Sequence, residues 1–75
     1  MTTKYDWSSV PYSVKFIATD KVGQKLISWG YHIKPRKTDS MWLCGDSRCN
    51  PILIGVGIFN GYWKDSLEQR PGEPQ

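Results

Sequence analysis

Two cysteines and one histidine are the residues of this chain with the most recognisable chemistry. Cys44 and Cys49 are separated by Gly-Asp-Ser-Arg, and His32 lies upstream of both. Because a reducing cytosol keeps thiols reduced, we expect two free thiols on either side of a turn. Two alternatives stay open. One is a disulfide across a hairpin, and the other is a metal site in which His32 and scattered carboxylates complete about four ligands.

No combination of side chains in the sequence predicts catalysis. A cysteine nucleophile would need His32 as its base, and nothing in the spacing supports that pairing. The glycines of Gly55-Val56-Gly57 lie inside an apolar run that lacks the third glycine and the lysine of a phosphate-binding loop. Asp20 and Asp39 are interpreted as turn residues. We therefore expect a protein that is not an enzyme and has no catalytic residue, metal or cofactor.

A basic and aromatic stretch is the strongest candidate for binding a partner. Charged and ring-bearing side chains are close together in this part of the sequence. Such a combination suits a protein interface, in which tryptophan often dominates the energetics. It also suits single-stranded nucleic acid, which needs phosphate neutralisation and base stacking. The competing interpretation is that Trp29 and Trp42 are core residues beside a solvated loop. The candidate partner-binding residues are Trp42, His32, Lys34, Arg36 and Lys37.

Length and charge limit the class of protein. The 75 residues form one small domain, which is expected to be only marginally stable without a staple or a partner. The net charge of +3 permits an acidic partner or nucleic acid without requiring either. The longest apolar run, residues 52–59, is too short to cross a bilayer. The N-terminus has no apolar segment of a secretory signal, so the default expectation is the cytosol.

The apolar run at residues 52–59 is the segment around which we expect the fold to be arranged. Its β-branched residues favour a buried strand. Because side chains alternate along a strand, one face of this segment is a continuous apolar surface. The other face has a smooth patch at its two glycines, on which a tryptophan ring could lie flat. The expected core face consists of Ile52, Ile54, Val56 and Ile58.

A β-hairpin is predicted upstream of this run. Residues 14–20 and 24–31 flank a three-residue loop, Lys21-Val22-Gly23, with glycine where a left-handed conformation is needed. This register places Ala18 opposite Leu26 and Ile17 opposite Ile27.

These signals predict a mainly β fold, a small single-domain antiparallel sheet of about four strands with short helical turns. The predicted strands are residues 14–20, 24–31, 41–44 and 51–59. Residues 62–69 form either a last short strand or a helical turn, so an α+β fold with a C-terminal helical turn is the alternative. The domain is expected to span residues 1–69. The polar, proline-rich residues 70–75 are expected to be a disordered tail.

A pattern of spaced residues runs through nearly the whole chain, from Tyr5 to Pro71. Its most specific part is the closing Trp-Lys-Asp-Ser-Leu-Glu-x-Arg-Pro. The full pattern is Tyr5-Asp6-Trp7, Val10-Pro11, Ala18-Thr19-Asp20, Gly23, Lys34-Pro35, Trp42, Trp63-Lys64-Asp65-Ser66-Leu67-Glu68 and Arg70-Pro71. This pattern resembles a family of small proteins encoded by tailed bacteriophages and prophages.

The resemblance implies a biological context and no activity. It implies an accessory protein, made in the host bacterial cytoplasm during infection, that binds a host or phage macromolecule. It does not explain Cys44 and Cys49, and it transfers no catalytic residue. We therefore expect a non-catalytic phage accessory protein that binds a host protein. The first alternative is a nucleic-acid-binding protein that uses the basic and aromatic surface, and the second is a structural homo-oligomer.

Overall fold

The computed structural model describes residues 3–45 and 48–72 and confirms a mainly β fold. Its strands are β1 (Phe16–Val22), β2 (Lys25–Tyr31), β3 (Arg36–Lys37), β4 (Trp42–Leu43), β5 (Ile52–Val56) and β6 (Glu68–Gln69). A four-stranded antiparallel sheet has the order β5-β2-β1-β6, and β3 pairs with β4 in a separate two-stranded ribbon. The helical elements in this part of the chain are two 3-10 turns, Trp7–Ser9 and Trp63–Asp65. The predicted strand at residues 41–44 therefore lies outside the main sheet, and β6 takes the fourth place.

The predicted hairpin is formed by β1 and β2, but its turn is shorter than expected. The loop contains two residues, because Val22 already pairs with Lys25. Gly23 occupies the first loop position with φ +64°. Glycine at this position suits the two-residue turns whose twist matches that of the flanking strands. The expected three-residue loop is wrong.

The shorter turn changes the register of the whole hairpin. Ala18 lies opposite Trp29 instead of Leu26, and Ile17 does not lie opposite Ile27. The predicted pairs are therefore wrong. Because the shift is an odd number of residues, it moves Ile17 and Ile27 to opposite faces of the sheet.

The inner face of the sheet packs against the N-terminal segment. Ile17 is fully buried there with Tyr5, Val10 and Val14 from the N-terminal segment and Phe59 from the loop after β5. The Tyr5 and Phe59 rings stack with their centroids 5.6 Å apart. This layer groups five buried apolar side chains and is the main structural core of the domain.

The opposite face, called here the pocket face, is only partly covered. Its residues come from β1 and β2, and the alternation of the strands places them on one side. The ribbon contributes Trp42, which packs against Ala18 and Tyr31. The residues of the pocket face used below are Asp20, Val22, Ile27, Trp29 and Tyr31.

The apolar strand β5 lies at the edge of the sheet and is largely exposed, which corrects the prediction of a buried strand around which the fold is arranged. It pairs only with β2 and ends at Val56, because Gly57 turns the chain with φ +75°. Of the expected core face, only Ile54 packs against the core. Ile52, Val56 and Ile58 are between 42% and 54% exposed.

An irregularity in the pairing explains part of this correction. The register of β2 with β5 shifts between Ser28 and Trp29, so the simple alternation expected for residues 52–59 does not hold. The expected tryptophan on the glycine patch is also absent, because Ile58 is the side chain that lies over Gly55.

The C-terminal segment, residues 63–70, contains both of the structures that the sequence left open. A 3-10 turn at Trp63–Asp65 is followed by β6, which pairs with Phe16 and Ile17 of β1. We call residues 63–70 the C-terminal clasp. The alternative of an α+β fold does not apply, because the helical part is a single turn.

The expected disorder of the tail is wrong for Arg70. Its backbone N–H donates to the Lys15 carbonyl at 2.7 Å. Its guanidinium donates to the carbonyls of Val14 and Pro11 at 2.8 and 2.6 Å and lies over the Trp7 ring. Arg70 therefore ties the clasp to the N-terminal segment. Residues 73–75 of the predicted tail lie outside the described residues.

Four buried hydroxyl-bearing residues connect the clasp, the N-terminal segment and the two central strands. The Tyr5 hydroxyl donates to the Ser66 carbonyl, so it accepts from Thr19 at 2.8 Å, and Thr19 in turn accepts from Ser28 at 2.7 Å. The Ser66 hydroxyl accepts from the Thr19 backbone N–H at 2.7 Å. Thr19, Ser28 and Ser66 have no exposed surface. Their hydrogen-bonding groups are satisfied by one another, which is what permits their burial.

We predict that Ser66→Ala destabilises the protein by about 1–3 kcal/mol, because it leaves the buried Thr19 N–H without its acceptor. Urea unfolding followed by tryptophan fluorescence measures this change. The matched control is Ser40→Ala, since Ser40 is exposed. Equal unfolding midpoints for the two variants would contradict the role given to the Ser66 hydroxyl.

Candidate binding pocket

The structure does not assemble the predicted basic and aromatic surface. Trp42 is only 6% exposed, and its indole N–H donates to the Trp63 carbonyl at 3.1 Å. The interpretation of Trp42 as a core residue is therefore the correct one. His32 and Lys34 are exposed in the segment between β2 and β3.

The two cations on β3 do not form one patch with each other. Arg36 lies opposite Leu43, and Lys37 lies opposite Trp42. Successive residues of a strand point to opposite faces, so these two side chains leave the ribbon on different sides. Both are exposed. They remain available to solvent, but Trp42, the aromatic residue opposite Lys37, is buried.

A pocket of about 530 Å³ opens between the pocket face and the segment around β4. This volume lies in the range typical of small-ligand sites. Its lining is mostly apolar and includes three aromatic residues, a disulfide and one carboxylate. The residues used below are Asp20, Ile27, Trp29, Tyr31, Met41, Cys44 and Cys49. The sequence predicts Asp20 in a turn and does not predict the pocket. The predicted hairpin register puts Asp20 and Trp29 on opposite faces of the sheet, whereas the observed register puts them on the same face.

Asp20 is the charged group of the pocket. The carboxylate accepts a hydrogen bond from the Trp42 backbone N–H at 2.7 Å, and the residue is only 8% exposed. Burial raises the pKa of this carboxyl, while the bond from Trp42 opposes the shift. A raised pKa means that the charged form is disfavoured in the folded state. The associated stability is therefore present at low pH and is lost as the pH rises through the raised pKa.

Tyr31 carries the second titratable group of the pocket. Burial, reinforced by the negative charge of Asp20, raises the pKa of the Tyr31 phenol to about 12. The phenol is consequently neutral across the physiological range and can both donate and accept a hydrogen bond.

One wall of the pocket is a disulfide between Cys44 and Cys49. The expectation of two free thiols is therefore wrong. The two residues are five positions apart, their Cα atoms are 6.3 Å apart, and both side chains pack against the cluster around Trp42. Paired sulfurs are not thiolates, so they cannot act as the metal ligands considered in the sequence. No group of three metal-ligating side chains occurs within residues 3–45 and 48–72.

Exposed apolar side chains line the pocket or lie on the same face of the sheet. Leu53 lies opposite Trp29 and Val56 lies opposite Ile27, which puts both on the pocket face. We call this surface the apolar rim. It consists of Val22, Met41, Leu43, Leu53 and Val56, which are between 37% and 58% exposed. Three of its five members also line the pocket, and exposed apolar side chains grouped on one face mark a binding site more often than scattered single residues do.

The chemistry of the pocket suits binding. One carboxylate and one neutral phenol stand among apolar walls, and the disulfide has no thiolate to act as a nucleophile. No protein-family model, curated protein or solved structure matches this chain. Within residues 3–45 and 48–72, no helix is both long and apolar enough to span a membrane.

We predict that a spectrophotometric titration of the folded protein reveals a phenol with a pKa of about 12, which is lost in Tyr31→Phe. Asp20→Asn should lower this pKa, because it removes the nearby negative charge. The stability due to Tyr31 is present below its usual pKa of about 10 and is lost as the pH rises towards about 12. Tyr12→Phe, a change at an exposed ring, is the control. An unchanged high-pKa phenol in Asp20→Asn would contradict the coupling.

We predict that the double variant Cys44→Ser/Cys49→Ser loses about 2 kcal/mol of unfolding free energy, the amount that closure of so short a loop contributes. Urea unfolding measures the loss, and the wild-type protein in excess dithiothreitol should unfold at the same midpoint as the double variant. If reduction has no effect on the midpoint, the disulfide does not support this wall of the pocket.

Proposed function

We propose that this protein is a non-catalytic phage accessory protein that binds a host bacterial protein in the bacterial cytoplasm during infection. The observation that carries the binding part of the proposal is the apolar rim around the pocket. The phage context rests on the sequence pattern described above. We propose the rim, and not the basic loop, as the interaction surface, because Trp42 is buried.

The rim has the composition of the centre of a protein interface. Charged residues are depleted at the centres of such interfaces, and aromatic residues and methionine are enriched. Met41 is on the rim, and the half-buried Trp29 lies in the pocket wall beside Leu53. The fold does not need the exposed rim atoms for its core. A partner that covered them would gain free energy in proportion to the apolar area removed from water.

A structural homo-oligomer is the alternative with a specific observation in its favour. β5 is an edge strand with exposed apolar side chains, and such strands can pair with a second copy. The nucleic-acid alternative has no such observation in its favour, because Trp42, the aromatic residue opposite Lys37, is buried and offers no exposed face for stacking.

We predict that tagged protein retains a host protein from bacterial lysate in stoichiometric amount, and that nuclease treatment does not release it. Val56→Asp should abolish retention, since it puts a charge on the rim at a residue that is 54% exposed and not part of the buried core. The matched control is Tyr62→Asp, which changes an equally exposed apolar side chain outside the rim. Eluates are quantified by mass spectrometry.

Other outcomes of this experiment would contradict the proposal. Retention that survives Val56→Asp would show that the rim is not the interface. Loss of all retained protein on nuclease treatment would favour a nucleic-acid binder. A dimer mass by light scattering that Val56→Asp converts to a monomer mass, with no host protein retained, would favour the homo-oligomer.

A further inference from the structure

We infer that the pocket is the anchor site for an arginine side chain of the partner protein, with the guanidinium on Asp20 and the aliphatic stem along the apolar walls. This inference rests on the proposed function, because it assumes that the partner is a protein. It adds the chemistry by which the partner is recognised.

The first argument is the incomplete hydrogen bonding of the Asp20 carboxylate. The only hydrogen bond to it from described residues is the one that the Trp42 N–H donates to Oδ1. The other oxygen, Oδ2, has no partner among those residues, yet it is not sealed from solvent. Asp20 as a whole residue is only 8% exposed and lines the pocket, and a carboxylate in such surroundings is stabilised by a cation with well-placed donors.

The second argument is the shape and polarity of the walls. Ile27, Met41 and the disulfide are apolar, so they match the methylene groups of a long basic side chain. Trp29 and Tyr31 add two rings close to the carboxylate. Guanidinium is planar, stacks on aromatic faces and is less strongly hydrated than ammonium, which favours arginine over lysine at this site.

The third argument is that the pocket and the apolar rim are continuous. The volume of about 530 Å³ exceeds that of one arginine side chain, so an apolar neighbour of the arginine can enter with it. The rim then excludes water around the buried ion pair, as the surroundings of interface hot spots do. The occupant is therefore an arginine flanked by apolar residues.

The inference is tested with three short peptides and protein labelled with nitrogen-15. The peptides are acetyl-Leu-Arg-Leu-amide and two relatives in which citrulline or lysine replaces arginine. Citrulline has the shape of arginine without its charge. Titrations are followed by the indole N–H signals of Trp29 and Trp42, because Trp29 lines the pocket and the backbone of Trp42 holds Asp20.

The arginine peptide should bind the wild-type protein at least about tenfold more tightly than the citrulline peptide, and more tightly than the lysine peptide. Asp20→Asn should remove the preference for arginine over citrulline while keeping the acceptor for the Trp42 N–H. Ile27→Trp, which fills the pocket beside Asp20 but keeps its carboxylate, should abolish binding of all three peptides. The spectra also report whether each variant is folded.

Three results would overturn the inference. They are equal binding of arginine and citrulline peptides, an arginine preference that survives Asp20→Asn, and a lysine peptide that binds as tightly as the arginine peptide. The lysate experiment separates this failure from that of the proposed function. If the Asp20→Asn variant retains the host protein as well as the wild-type protein does, the proposed function stands and the arginine site is wrong. If the arginine peptide binds in a way that depends on Asp20 but no host protein is retained, the arginine site stands and the proposed function is wrong.

Discussion

The buried hydroxyl network is the constraint on which the rest of the structure depends. It joins Tyr5, Thr19, Ser28 and Ser66, which come from four separate segments of the chain. A hydrogen bond between buried groups adds little net stability, but a missing partner costs the desolvation of the group that remains. The four segments must therefore meet in one arrangement. In a domain of 75 residues with a small apolar core, this requirement specifies how the two ends of the chain meet on the sheet.

The closing part of the sequence pattern contacts the N-terminal part of the chain. Glu68 of the C-terminal clasp accepts hydrogen bonds from the Lys4 backbone N–H and from the Trp7 indole, and Arg70 donates to the carbonyl of Pro11. The hydrogen bond from Trp42 to Asp20 likewise joins two separate parts of the pattern. Most of the pattern residues therefore have a structural explanation. Only Asp20 has in addition a carboxylate oxygen that faces the pocket.

The sequence predicted the fold class and one hairpin because these depend on local signals. Gly23 marks a turn, and Asp6 caps the first 3-10 turn by accepting from the Ser8 N–H at 3.0 Å. The pocket depends on the hairpin register, and the length of the turn, two or three residues, determines that register. The alternation of apolar and polar side chains does not specify it, because both faces of β1 and β2 carry apolar residues. Once the register was wrong, Asp20 and Trp29 could not be placed on one face. The disulfide was not predicted, because the expectation of free thiols rested on an assumed reducing cytosol and not on the distance between the two cysteines.

Burial in this domain does not depend on hydrophobicity alone. Some polar side chains are buried while some apolar ones are exposed, and the exposed ones can form a binding surface. Ser66 and Thr19 have no exposed surface, whereas Leu53 and Val56 are 54% exposed. Hydroxyl-bearing side chains fill part of the interior of this domain. Because its apolar content is normal, some apolar side chains therefore remain on the surface. Because the hydroxyl network is satisfied internally, the fold remains specified without burial of the rim. The exposed rim carries a risk of aggregation. In the proposed function, the partner that covers the rim removes this risk.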